Sequence, residues 1–284
     1  TGSLNFNNVI INGTFNDNGF SYNVSGNWTK ATTGIFVSSG KTTFTGSSSQ
    51  IISNTNFNEI ELDKSGGNVS QSGDVIISNG FTQSNASYST NNKSLSVSGN
   101  LILNGGTFNA TSSTISITRD FISNAAFTPS SSTIVLNRNG SQTLNVPTLN
   151  NLQVTGSGNK TLSADIIIFG NLKVFSGNFI DGGHTVSLRK NLIVESNYNG
   201  AGLISFDLNT GLSGSGVFNF HNVVINGTLN DSGKKIYVNG NWSNVGNFIT
   251  NGTVSFNGSS TQTISSSLFK NIFFTNTGLK NISG

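Results

Sequence analysis

Apolar and polar residues alternate with period two over short stretches along this chain, and polar pairs separate the stretches. Residues 95–103, LSVSGNLIL, show the pattern: Leu95 and Val97 alternate, Gly99-Asn100 intervene, and Leu101 and Leu103 alternate again. Period two predicts strands with one apolar face. A straight strand would turn position 99 inward, yet the equivalent positions elsewhere hold Arg119 and Lys190, which would not be buried unpaired. A corner removes the conflict. Two residues turn the chain, the second in the left-handed conformation that Asn and Asp tolerate. The next strand then resumes with its apolar residues on the same side.

The corner text recurs twelve times. Its slot falls at Asn8, Asn27, Glu59, Asp74, Asn100, Asp120, Asn151, Asn171, Asn191, Asn222, Asn241 and Asn271, and the next residue is always large and apolar. One kind of slot has an apolar residue two positions earlier (Phe6, Phe57, Leu149, Phe220, Phe269) and marks the start of a unit. A second kind has it three positions earlier, as at Val24, Val97 and Ile168. Units of about 50 residues lengthen by roughly 20 for each added copy of the second kind, the arithmetic of a solenoid gaining coils. A third signature, Ser-x-Gln, stands seven residues before Phe57, Leu149 and Phe269, at Gln50, Gln142 and Gln262.

These patterns predict an all-β chain: a single elongated parallel β-solenoid, or β-helix, of about 12 coils. Its repeat units would run approximately 4–54, 55–146, 147–217 and 218–266, with a partial unit at 267–284. Coils stacked at ~4.8 Å would align the slots into an Asn ladder of Asn8, Asn27, Asn100, Asn151, Asn171, Asn191, Asn222, Asn241 and Asn271. Gly, Asn, Ser, Thr and β-branched residues disfavour helix throughout. Two sandwich domains are the rival all-β reading, and the 20-residue increments argue against them.

Two near-copies frame the chain. Residues 4–28 and 218–242 match without a gap at 15 of 25 positions, including Trp28 and Trp242. The chain begins and ends inside repeat text, which reads as a piece of something longer.

Composition narrows the functional classes. Only 9% of residues are charged, whereas 45 are Asn and 34 are Gly. The net charge of +3 is spread thinly and includes only three arginines, so no nucleic-acid footprint is expected. No apolar run approaches membrane-spanning length, so membrane insertion is not expected. Cys and Met are absent, which suits an exposed extracellular surface.

Candidate chemistry is sparse, and no catalytic, cofactor or metal residues are assigned. Trp28 and Trp242 could stack on sugars, but their slot is apolar in every copy, which places them in the core. Asp17-Asn18-Gly19 and Asp231-Ser232-Gly233 carry too few acids for calcium and read as turns. Glu59, Glu61 and Asp63 share a strand face that reads as solvated, and His184 and His221 occupy polar, turn-like positions. Thr-x-Thr does not recur coil by coil, which leaves ice binding a minor reading. One feature stands apart. The position between the two core apolars of a slot is itself apolar at Ile10, Ile76, Ile102, Ile122, Ile193, Val224 and Phe273. On one face these would form a lateral contact stripe, covered by a loop or a neighbouring chain.

The text Gly240-Asn241-Trp242, Val254-Ser255-Phe256-Asn257-Gly258 and Gln262-Thr263-Ile264-Ser265 resembles repeat regions of very large Bacteroidetes-type secreted surface proteins, the gliding and biofilm adhesins. The resemblance implies β-solenoid stalks outside the cell, commonly exported by a dedicated secretion system, and carries over no catalytic residue. The unequal number of coils per unit departs from a uniform array. The expected role is a structural and adhesive stalk segment at the cell surface, not an enzyme. Its partners would be neighbouring repeats or identical chains, and surface glycans. Polysaccharide binding or cleavage, and self-assembly into an extracellular filament, are the alternatives.

Overall fold

The computed structural model describes residues 4–283 and divides into two compact units, Thr1–Val135 and Leu136–Gly284. Each is a parallel β-solenoid with no helix among its described residues. In the first unit a coil consists of three short strands, for example Phe81–Gln83, Ser87–Ser89 and Leu95–Val97. The next coil repeats them in register: Phe81 pairs with Leu101, Tyr88 with Phe108 and Leu95 with Ile115. The second unit follows the same plan, with Lys160 paired to Phe179, Ile168 to Leu188 and Leu172 to Leu192.

The first unit contains seven coils and the second eight, more than the dozen the slots predict. The slots undercount because they do not mark one corner. Asn8, Asn27, Asn222 and Asn241 stand at the corner from the first to the second strand of their coils, Asn222 as the opening residue of its strand. Asp74, Asn151, Asn171 and Asn191 stand at the corner from the second to the third, Asn151 opening its strand. Glu59, Asn100, Asp120 and Asn271 stand at the corner into a first strand, which Glu59 and Asn271 open. Slots about 20 residues apart, such as Asn151, Asn171 and Asn191, sit at one corner of successive coils. Five strands separate Asn27 from Glu59, and five separate Asn191 from Asn222, so the motif reappears one strand short of two full coils. The sequence repeat therefore rotates around the coil stack instead of rising straight along one edge.

The corners turn without the left-handed residue expected at the slot: none of the twelve slot residues has a positive φ. Asn is selected there for a different reason. Its Oδ1 accepts the main-chain N–H of the equivalent residue one coil on, as in Asn8 to Asn27 (2.7 Å), Asn100 to Asp120 (3.1 Å) and Asn222 to Asn241 (2.8 Å). Asn151, Asn171 and Asn191 continue this through three coils at 2.9 and 3.2 Å. The ladders thus join side chain to backbone, in short runs at all three corners. The Gly before the slot follows from the same packing. A Cβ on Gly170 would overlap Asn151 Oδ1 and come within 2.7 Å of the Asn150 carbonyl, so only glycine fits.

The inward positions form the core, and Arg119 and Lys190 are exposed as the corner argument requires. In the first unit Trp28 packs among Tyr22, Phe36 and Phe57 at ring distances of 6.1, 4.8 and 5.0 Å. Tyr88, Phe108 and Phe127 stack in a column, one ring per coil. In the second unit Trp242 meets Phe248, Phe256 and Phe269.

Candidate functional site

Trp28 and Trp242 are core residues, 0% and 1% exposed. Each indole N–H is satisfied inside, Trp28 Nε1 by Thr55 Oγ1 at 3.1 Å and Trp242 Nε1 by Ser267 Oγ at 2.9 Å. Neither offers a stacking platform to solvent.

The seven stripe residues occupy different faces. Ile102, Ile122 and Phe273 point outward from first strands, Ile10 and Val224 from second strands, and Ile76 and Ile193 from third strands. Ile102 and Ile122 are paired neighbours, and no other two of the seven are. Ile10, Ile76 and Phe273 are exposed and the other four half-buried. The rotation of the repeat explains this dispersal: residues equivalent in sequence are carried to successive faces.

Glu59 and Glu61 face outward from the strand Glu59–Leu62, and Asp63 is exposed just past its end. Glu61 takes the Lys41 ammonium at 2.6 Å, a hydrogen bond that holds the lysine pKa above its ordinary value. Asp63 accepts from Asn85, and Glu59 from Asn79. His184 lies 3.6 Å from Asp165 at a corner, and His221 is half-buried at another.

The Asp turns are more deeply built than a solvated turn. Asp17 and Asp231 are 5% and 0% exposed. Asp231 Oδ1 accepts from its own turn (Gly233 N, 2.9 Å) and from the next coil (Asn251 N, 2.9 Å; Gly252 N, 3.2 Å). Asp181, a residue the sequence reading passed over, binds Gly183, Ala201 and Gly202 in the same way. At Asp17 burial opposes the charge. Hydrogen bonds from Gly19, Ser39 and Gly40 N–H and from the Ser39 hydroxyl outweigh it, and the pKa falls below the usual aspartate value. These carboxylates are occupied by backbone donors and tie coil to coil.

The Ser-x-Gln signature turns out to mark a cage. Its corner directs main-chain carbonyls inward, and a lysine from the next coil inserts its ammonium among them. Lys160 is fully buried and donates to the carbonyls of Arg138 (2.9 Å), Gly140 (3.0 Å) and Ser157 (2.7 Å). Lys280 reaches Gly258 and Gly278 at 2.8 and 2.7 Å. Lys64, 3% exposed, takes Thr45 and Ser48 carbonyls at 3.0 Å each and Gln50 Oε1. Burial pulls the pKa of Lys64 below the ordinary lysine value, and burial followed by the Arg138 charge does the same for Lys160. Gln50 and Gln262 point their amides the other way, to carbonyls at the corner one coil behind. The sequence carried a signal for two of these lysines. Lys160 is in phase with Leu162, and Lys280 with Ile282, so alternation aims both inward.

Two surface features remain. A recess of ≈ 370 Å³ opens at the first coil between its inward residues Phe6, Val9, Ile11 and Phe15. In the second unit, Phe169 and Arg189 point outward from the ends of second strands on adjacent coils, while Lys173 and Ile193, past the corner, point outward from the paired third strands. Phe169 and Phe175 are 36% and 45% exposed, and the Arg189 guanidinium lies 4.7 Å over the Phe169 ring.

No family model, curated protein or solved structure matches this chain. Its functional reading therefore rests on the geometry above. That geometry commits most polar side chains of the interior to joining one coil to the next.

Proposed function

We propose that the chain is a structural and adhesive stalk segment of a large extracellular surface protein and acts without catalysis. One observation carries this reading: within each unit every coil is bonded to the next along its strands and again at its corners. Caged lysines, buried aspartates and Asn Oδ1 acceptors add coil-to-coil bonds beyond the strand pairing. Bending such a stack breaks bonds on several faces together, so it resists deformation as a spacer must. Low surface charge makes that cohesion largely insensitive to salt. The outward positions are mostly Ser, Thr and Asn, which suits permanent exposure to water.

Labelling and replacement test the reading. An antibody to residues 4–283 should label intact, unpermeabilised cells. Deleting the segment from its parent chain should lower attachment of the cells to surfaces, and an unrelated solenoid with the same number of coils should restore part of it. Label seen only after permeabilisation would contradict the proposal, as would full attachment after deletion.

A further inference from the structure

We propose that His184 and His221 form a two-imidazole site for a borderline divalent metal ion, Cu2+ or Zn2+, across Gly202 in the second unit. The chain has only these two histidines, and no cysteine or methionine. Each stands at the turn from a first to a second strand, on coils two steps apart. His184, Gly202 and His221 immediately precede the strands Thr185–Leu188, Leu203–Phe206 and Asn222–Ile225. These strands are neighbours in one sheet, with Thr185 paired to Leu203 and Leu203 to Asn222. The three residues therefore form one column on three successive coils. The Asn222 N–H donates to the Gly202 carbonyl at 3.0 Å, so the stacking continues through the turn itself.

Glycine is required between the histidines. A Cβ on Gly202 would come within 2.2 Å of the His184 carbonyl oxygen. The column thus has an imidazole on either side of a level that carries no side chain. Two coil steps separate the histidine Cα atoms by ~9.6 Å. With a metal–imidazole bond of ~2.0–2.1 Å added to the length of each side chain, two histidines that far apart can meet on one ion over Gly202. Asp165, one coil behind, prepares the first of them. Its Oδ1 lies 3.6 Å from His184 Nδ1 and accepts the Thr185 N–H at 2.8 Å. The two nitrogens of an imidazole point in nearly opposite directions. With Nδ1 turned to Asp165, His184 presents Nε2 to the coils ahead, where Gly202 and His221 follow. A carboxylate on the far nitrogen orients a metal-bound histidine and raises its basicity. Both histidines are half-buried, so an ion from solvent can reach them.

The donor set names the ion. Among the described residues no three His, Cys, Asp or Glu side chains converge, so water completes the coordination. Two imidazole nitrogens favour Cu2+ over Zn2+, and both over Mg2+ or Ca2+, which take oxygen ligands. The bound ion joins a coil to the next but one, whereas strand pairing joins only adjacent coils.

The test is calorimetric titration of the untagged full chain with Cu2+ and Zn2+, with Mg2+ and Ca2+ as comparisons. Cu2+ should bind at a single site, more tightly than Zn2+, and its electron paramagnetic resonance spectrum should show two nitrogen ligands. His184→Asn and His221→Asn should each weaken binding by about tenfold or more, and Asp165→Asn, which keeps an acceptor for the Thr185 N–H, by a similar factor. The substitution at 221 copies Asn7, which holds this place in the near-copy at 4–28. An unchanged circular dichroism spectrum checks that the coils persist in each variant. Failure of the parent chain to bind either Cu2+ or Zn2+ would overturn the proposal. So would full affinity after either histidine substitution, a spectrum with one nitrogen ligand, or equal binding of Ca2+.

Discussion

Lys160 donates its ammonium to the Gly140 carbonyl, 3.0 Å away and one coil behind it. The same ammonium also satisfies Arg138 and Ser157, so a single side chain closes a corner that three carbonyls would otherwise leave open. Removing the donors while the acceptors stay buried costs about 1–3 kcal/mol per unsatisfied group before relaxation. Lys160→Met should therefore speed amide hydrogen exchange in strands Gln142–Asn145 and Asn159–Leu162 by about 10- to 100-fold. Exchange in the strand Thr253–Phe256 should not change. Unaltered exchange next to the substitution would remove the cage from the account.

Glycines separate into those the stack requires and those it does not. A Cβ on Gly99 would run into the Asn79 carbonyl, which is backbone and cannot swing aside. Gly13 has nothing within 4 Å of such a Cβ and no positive φ. Gly99→Ala should destabilise the first unit by about 2–3 kcal/mol through overpacking. Gly13→Ala should be neutral, or stabilising by up to about 1 kcal/mol, because it restricts the unfolded chain. Thermal melting of the two variants against the parent chain distinguishes them, and equal melting temperatures would contradict this division.

Buried ionisable groups set the pH dependence. Burial raises the pKa of Tyr22, Tyr88 and Tyr198 far above the ordinary tyrosine value. Above about pH 10 the unfolded chain loses these phenolic protons while the folded chain keeps them, so stability falls as pH rises. Lys64 and Lys160 act in the opposite direction. Their lowered pKa values let the folded chain release protons first, so their contribution to stability rises up to the ordinary lysine value. The tyrosines outnumber them and are more strongly shifted, so the net effect is alkaline unfolding. Tyrosinate absorbance of these three residues should appear together with loss of β circular dichroism, not before it. At the acid end Asp17 stabilises the fold above the usual aspartate pKa and loses that contribution as pH falls through its lowered value.

The sequence was legible where its alternation was strict. LSVSGNLIL encodes two strands and a corner, and the structure has both, with Leu95, Val97, Leu101 and Leu103 buried. The position of the corner on the coil was not legible. All three corners demand an acceptor for the next coil's N–H, so Asn27 and Glu59 resemble one another although they stand at different corners. That degeneracy produced both the low coil count and the single stripe expected of Ile10, Ile76 and their equivalents. Lys64 was not legible either. It sits within a turn, where alternation says nothing, and only the carbonyls of Thr45 and Ser48 reveal its role.

Cysteine cross-linking tests the coil register most directly, and the chain has no cysteine of its own to compete. Ile10 and Thr29 are paired, outward-facing residues on adjacent coils of one face. Their Cα atoms are expected at ~4.8 Å, within the range a disulfide spans. Glu61 occupies the same place in the sequence motif but belongs to a first strand, on another face. Ile10→Cys with Thr29→Cys should oxidise to a disulfide within the folded chain, and Thr29→Cys with Glu61→Cys should not. Failure of the first pair to close, or ready closure of the second, would contradict a three-strand coil around which the sequence repeat rotates.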